Sequence, residues 1–443
     1  MRKLALFRRV FLASRWLRER LTPAGMVLAG LIVFAAAFGL DTQANIAHAL
    51  VLLGLSLLAM DALTANLARR RAPPLAARRR LPDFVTAGET ARYRLELRNG
   101  GARSSPPARL IEGLRQPWPA AAALQAERAT GNRFDRGVGY PAFIELLRRL
   151  RGIEIEAIAV PALLPGQTRE FDVELRPIAR GLAVFDSLRL AQAGPLGLVE
   201  LPLAVAVPAA SLPVLPCRLA VELPPAGSHR HLQVGGISLA QHVGDAEEFR
   251  SLRDYRPGDP LRAIHWRSFA RTGRPVVREY QEEYFSRHAL VLDTAAPRAS
   301  VAAFETAVSM AAWLVAQPRD ADSLLDLMFV GDRVHRLTAG RGLGGADGLL
   351  RVLASVSPTP AESIVPLLAS LERHADHVAS VVAVFLAWDQ PRQQAVRRLL
   401  ARGLQPSVLL VAEANPGDAN ESGEFAGILR RIDPVPPDAA GAP

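Results

Sequence analysis

Residues 21–40 read LTPAGMVLAGLIVFAAAFGL, a run of 20 residues without a charge. As a helix rising 1.5 Å per residue it is about 30 Å long, the thickness of a bilayer core. Asp41-Thr42-Gln43-Ala44-Asn45 is a short polar break; residues 46–60 are again apolar and charge-free, and residues 62–67 extend them past Asp61. So short a break is a tight turn. The spacing therefore predicts a basic N-terminus and a two-helix transmembrane hairpin within residues 1–70. A cleaved signal peptide fits poorly, because the run is long, lacks a clear small-residue cleavage site and is followed by a second run. A buried soluble hairpin is the plainer alternative.

Orientation follows from charge. Arg2, Lys3, Arg8, Arg9, Arg15, Arg18 and Arg20 precede the first run, Arg69, Arg70, Arg71, Arg78, Arg79 and Arg80 follow the second, and the turn between has no base. The positive-inside bias places both termini and the large domains in the cytoplasm of an inner (plasma) membrane protein. Asp61 is expected near the cytoplasmic interface and His48 near the outer one. The net charge of +10 resides wholly in residues 1–80, and residues 81–443 carry 40 bases and 40 acids. That distribution serves membrane orientation and argues against nucleic acid as a partner.

Lys3 is the only lysine. A phosphate-binding P-loop and Schiff-base chemistry both need a lysine, and neither has one. A single cysteine, Cys217, rules out an intrachain disulfide and a four-thiolate zinc site. Its apolar context reads as a strand residue rather than a nucleophile.

A length of 443 residues suggests two or three domains of about 150 residues each. Residues 71–82 read as a basic linker. Residues 83–215 read as a β-rich, sandwich-like domain. In Arg92-Tyr93-Arg94-Leu95-Glu96-Leu97-Arg98 apolar and charged residues alternate, the mark of a half-buried strand, and Asn99-Gly100-Gly101 ends it. Residues 169–175 repeat the pattern, and residues 182–190 and 198–207 are further strands. Residues 120–151 break it with helical spacing at Phe143-Ile144-Glu145-Leu146-Leu147, an insertion between strands without evident chemistry.

Residues 216–285 form a connecting segment that contains a dense polar block, residues 244–283. Eight arginines interleave there with Glu247, Glu248, Asp254, Asp259, Glu279, Glu282 and Glu283, and with Phe249, Tyr255, Trp266, Phe269 and Tyr280. Such mixing implies bidentate ion pairs rather than a one-sign binding face. The block resembles the signature of the bacterial family called domain of unknown function 58. The resemblance rests on Leu252-Arg253-Asp254-Tyr255, Pro257-Gly258-Asp259, Ile264-His265-Trp266 and Ser268-Phe269-Ala270-Arg271. Arg180-Gly181 and Pro195-Leu196-Gly197-Leu198 fit as well, although the family usually has an aspartate where this chain has Gly194.

The resemblance implies a membrane hairpin, a β-rich segment, the block and a von Willebrand factor A-like domain. It also implies a MoxR-type AAA+ ATPase as partner and, in some members, a transglutaminase-like membrane protein. Within the block, Arg253, Tyr255, Gly258, Asp259, Arg262, His265, Trp266, Arg271, Arg278 and Glu279 are the candidates for a partner-binding surface or for a structural clasp between domains. No catalytic residue is assigned; His265 has no evident nucleophile beside it.

Residues 286–433 alternate short apolar runs with helical spacing: strands at 288–293, 324–330, 378–388 and 407–411, helices at 302–315, 349–356, 364–371 and 390–402. That predicts an α/β, doubly wound, mostly parallel sheet, with any site at the strands' C-terminal ends. Asp293 stands at such an end. A von Willebrand factor A-type metal site would follow it with two serines, but Ala295 and Pro297 take those places and neither coordinates magnesium. Asp293 and Asp389 thus form a degenerate adhesion-type site, with no metal and no cofactor expected. Residues 434–443 read as a disordered tail.

The reading that results is a non-enzymatic, membrane-anchored cytoplasmic interaction or scaffold protein, working with the ATPase in assembly or chaperoning of a membrane or envelope complex. Its alternative is a metal-dependent hydrolase with its site at Asp293.

Overall fold

A computed structural model describes residues 2–38, 45–121, 123–125, 139–224, 248–257, 259, 261, 264–281, 286–295, 301–318, 323–340, 344–412 and 424–435. The architecture is mixed α/β.

Three helices open the chain: α1 (Arg2–Arg18), α2 (Pro23–Phe38) and α3 (Asn45–Arg70). The basic N-terminus is thus itself helical, made of good helix formers with Phe7 and Phe11 buried on one face. Thr22 caps α2, accepting from the Gly25 amide at 3.0 Å, and Pro23 suits its first turn. α3 is long and apolar enough to cross a membrane, and Asp61 does not interrupt it; α2 is apolar but shorter. The polar break at residues 41–44 lies outside the described residues.

Two sheets follow. One has the order β1 (Leu75–Arg80), β3 (Ala91–Asn99), β7 (Thr168–Pro177), β5 (Ile153–Ile155). The other has the order β2 (Val85–Thr86), β10 (Ala210–Leu215), β8 (Gly181–Ala193), β4 (Ala108–Leu114), β6 (Ile158–Val160), with β9 (Glu200–Ala204) on β8. Leu95, Leu97 and Val173 of the first share a core with Leu110, Phe185 and Leu212 of the second. The basic stretch read as a linker is in fact strand β1. Its alternation buries Arg79, which pairs with buried Glu112 at 2.8 Å and donates to the Ser187 and Pro208 carbonyls. That arginine belongs to the core, not to the membrane flank. Burial and the Glu112 charge push the Tyr93 hydroxyl, hydrogen-bonded to Glu112, far up.

The insertion contains α4 (Tyr140–Arg151), and its task is now visible. Phe143 and Leu147 of α4, with Leu124, receive Phe7 and Phe11 of α1 in a small separate core. Arg8 lies over the Trp118 ring at 4.5 Å.

The polar block is a two-stranded hairpin, β11 (Glu248–Asp254) against β12 (Val276–Gln281), with α5 (Trp266–Thr272) between. Then come β13 (Ser286–Leu292), α6 (Val301–Ala316), β14 (Ser323–Val330), β15 (Val334–Ala339), α7 (Ala346–Ser355), α8 (Ile364–His374), β16 (Ser380–Phe385), α9 (Gln390–Ala401), β17 (Ser407–Val411) and β18 (Leu429–Ile432). Their sheet runs β15-β14-β13-β16-β17-β18, parallel throughout except for edge strand β15. The order reverses between β13 and β16. β15 and β18, short and half-exposed, are the strands that apolar runs did not reveal. Val435, read as the start of a disordered tail, is tied to α6, its amide donating to Thr306 Oγ1 at 2.9 Å.

Candidate functional site

In the block, the polar turn at residues 256–259 is fixed by charge. Arg253 donates both terminal nitrogens to the two oxygens of Asp259 at 2.7 Å each, and the Arg256 amide adds a third bond at 2.9 Å. The Arg253 guanidinium holds the Asp259 carboxyl down at about 2. Arg253 stands opposite Val277 in the hairpin, and Val277 bridges Ile264; these two apolar side chains are buried. The His265 amide donates to the Val276 carbonyl, and its ring Nδ1 lies 2.7 Å from Oγ of Ser268, in the first turn of α5.

This scaffold presents apolar surface outward. Trp266 is 59% exposed and Phe269 37%, their rings edge-to-face with centroids 6.0 Å apart. Leu252, Leu261 and Arg271 of the block are exposed as well. The Tyr255 amide bonds to Pro275. Gly258 and Arg262 lie outside the described residues; Arg278 and Glu279 are placed in β12 by their backbone alone.

The hydrogen bonds given for Asp259, His265 and Ser268 close within the block. Arg180 is one residue that joins the two-sheet and α/β domains. It pairs with Glu305, donates to the Leu353 carbonyl at 3.1 Å and the Val356 carbonyl at 2.6 Å, and lies over Phe304. Cys217 lies here too, beyond the end of β10 rather than in a strand, its Sγ 3.0 Å from Ser309 Oγ; burial pushes its thiol up. A cavity of about 440 Å³ runs along this joint, with Ile178, Cys217, Leu219 and Val356 in its wall.

The second candidate lies at the sheet's switch point, where open α/β sheets bind ligands. Asp293 follows β13 and is fully buried. Its Oδ2 accepts from Arg392 Nε at 2.9 Å, Arg392 Nη2 at 2.6 Å and the Leu386 amide at 3.1 Å, and its Oδ1 accepts from the Ala295 amide at 2.9 Å. Arg392 Nη1 also reaches Asp389 Oδ2 at 2.6 Å. Both acids therefore share one guanidinium. Burial pushes the Asp293 carboxyl up, while Arg392 and the two amides act in the opposite sense. Thr294 turns inward, donating to the Val330 carbonyl at 2.9 Å. Among the described residues no group of three or more His, Cys, Asp or Glu is arranged around a metal position. Arg392 bonds both Asp293 and Asp389, so a cation held by these two acids would have to displace a guanidinium. Arg392 escapes a sequence reading because it lies 99 positions from its partner; the Asp-Gln-Pro-Arg helix start at residues 389–392 is its only local signal.

A third constellation joins the helices to the sheets. The Asp61 carboxylate, fully buried, accepts the amides of Leu196 at 2.8 Å, Leu198 at 2.9 Å and Val199 at 2.8 Å, in the turn between β8 and β9. From the other side, Thr22 Oγ1 donates to the Gly197 carbonyl at 2.6 Å and the Glu200 amide donates to the Arg20 carbonyl. Gly25 lies so close to the Leu198 carbonyl that a Cβ would overlap it.

Known proteins bear on the second half of the chain. Residues 251–414 match the family model described as "Protein of unknown function DUF58". This stretch, the block's hairpin together with most of the α/β sheet, is a DUF58 domain. A search of curated proteins returns no match. Among solved structures, a von Willebrand factor type A protein from Catenulispora acidiphila is 13% identical, covering 38% of this chain and 42% of that one at a TM-score of 0.26. A CARDB domain from Pyrococcus furiosus is 14% identical, covering 32% and 94% at 0.18. Salmonella alpha-2-macroglobulin is 16% identical, covering 32% and only 7% at 0.17. Likenesses at these scores carry no argument about activity.

Proposed function

We propose that this chain is a membrane-anchored interaction or scaffold protein whose DUF58 block docks a partner. In this reading α2 and α3 form a hairpin across the inner membrane, with both termini and the large domains in the cytoplasm. The two-sheet domain is a sandwich that carries the α/β unit, and that unit is a von Willebrand factor A-like domain in which Arg392 replaces the metal. The observation that carries the reading is the exposed Trp266–Phe269 pair on α5, which the His265 amide and the Ile264–Val277 bridge tie to the small hairpin. Rigid exposed aromatics beside arginine are typical anchors of protein interfaces. Asp61 supports a mechanical role, since it ties the candidate spanning helix to the platform.

The family resemblance supplies the partner, a MoxR-type AAA+ ATPase, and the process, assembly or chaperoning of a membrane or envelope complex. A transglutaminase-like membrane protein is a further candidate partner. Co-purification of the full chain with the ATPase encoded beside it, with and without nucleotide, tests the reading; association in neither state contradicts it.

A further inference from the structure

The buried face of α1 is accounted for by α4: Leu4, Phe7, Phe11 and Ser14 follow helical spacing and face that small core or its edge. At 100° per residue, Leu6, Val10, Ala13 and Leu17 form a second apolar stripe, turned by about a quarter to a third of a circle from the first. Among the described residues this stripe joins no hydrophobic core. Leu6 is 57% exposed, Val10 45% and Leu17 41%. Lys3 borders it on one side, and Arg9 and Trp16 border it on the other. Trp16, also exposed, carries the Arg20 guanidinium over its ring at 4.7 Å.

We propose that α1 lies in the headgroup layer of an anionic bilayer, with Leu6, Val10, Ala13 and Leu17 at the acyl boundary and Lys3 and Arg9 on lipid phosphates. The inference rests on the membrane-anchor reading and deepens it. Three observations select a lipid surface over another protein. An apolar stripe edged by cations and a tryptophan is the composition of interfacial helices. Residues 2–20 hold seven bases and one acid, complementary to anionic headgroups. The face is also continuous with the candidate anchor: α2 begins at Pro23, and its Val27, Leu31, Val33 and Phe34 are likewise exposed. With α4 clamped to its adjacent face, α1 sets the height of the two-sheet domain above the bilayer.

The chain's single cysteine makes the test direct. In a Cys217→Ser background, nitroxide labels are placed one at a time at Val10, Leu17, Val33, Leu52 and Leu182 of the full chain. Each is read in nanodiscs of phosphatidylcholine with or without phosphatidylglycerol, using oxygen and a water-soluble nickel chelate as relaxers. With phosphatidylglycerol, labels at Val10 and Leu17 lose nickel accessibility and gain oxygen accessibility, at a shallower depth than Val33 and Leu52. Replacing Lys3 and Arg9 by glutamine restores nickel accessibility at both. If Val10 and Leu17 remain as open to nickel as Leu182 while Val33 and Leu52 are in lipid, the inference fails and the anchor stands. Protection of Val10 and Leu17 from both relaxers means that protein covers the stripe, and also overturns it. Equal insertion without phosphatidylglycerol overturns the anionic headgroup contact. If Val33 and Leu52 are open to nickel, the anchor reading itself fails.

Discussion

Asp61 of α3 and Gly194 at the end of β8 share one space: the Asp61 carboxylate stands where a Cβ on Gly194 would be. The family resemblance leads one to expect an aspartate at position 194, beside the turn. Here the acid on that turn comes from a helix 133 positions away in the chain. A glycine that looks like a departure from a motif is, in three dimensions, what admits the acid.

Removing Asp61 therefore leaves three amides unpaired in a closed site. Asp61→Ala is expected to destabilise the joint by about 3 kcal/mol or more, at about 1–3 kcal/mol for each unsatisfied group. Gly194→Ala, by overlap, is expected to mimic it. Thermal unfolding of the full chain in nanodiscs checks both; an unchanged transition in either variant would show that the contact is dispensable.

The Asp293–Arg392 pair makes a second prediction. Arg392→Met leaves a buried carboxylate without its cation, at a cost of about 3–5 kcal/mol. The wild-type chain should gain no thermal stability from magnesium, manganese or calcium, because Arg392 already occupies both acids. A saturable rise in transition temperature with any of these ions, lost in Asp293→Ala, would restore the metal-site reading.

The third concerns acid. Burial raises the Glu19 carboxyl, but Arg189 at 2.8 Å and Arg15 outweigh it and hold the group below its ordinary 4.5. A depressed carboxyl stabilises the fold above its unfolded value, and that contribution is lost as pH falls through the folded one. The wild type should thus be more stable than Glu19→Gln at neutral pH, and the difference should shrink as pH falls below the ordinary carboxyl value and vanish once the folded carboxyl is protonated. Denaturant midpoints of both proteins across that range measure it; a gap that persists at low pH would assign the effect to packing.

Arg180 gives the fourth. Its ion pair and two carbonyl contacts join the two-sheet domain to the α/β domain, beside apolar contacts around Leu215. Arg180→Ala is expected to split one unfolding transition into two, seen by calorimetry. A single transition at the original temperature would mean that the apolar contacts around Leu215 and Val221 suffice.

What could be read from the sequence was whatever a local period encodes. The alternation at residues 92–98 gave β3, and the apolar runs at 288–293, 324–330 and 407–411 gave three strands of the parallel sheet. Helical spacing at 143–150 gave α4 but not its purpose, because Phe7 lies 136 positions away in the chain. β1 was hidden because three consecutive arginines look like a membrane flank, whereas Arg79 has its partner, Glu112, in the other sheet. The same limit governed the sites. Arg253 and Asp259 are six residues apart and legible as a pair, while Asp61 and Arg392 act on groups more than ninety residues distant.

The central claim, that the block is a docking surface, is tested most directly by binding. The full chain in nanodiscs is titrated with the neighbouring AAA+ ATPase in its nucleotide-bound state, beside a Trp266→Ala/Phe269→Ala variant. Saturable binding by the wild type and at least about tenfold weaker binding by the variant is the result this account predicts, because a central aromatic anchor is worth about 1.4 kcal/mol or more. Equal affinity of the two proteins, or no binding by the wild type, would contradict it.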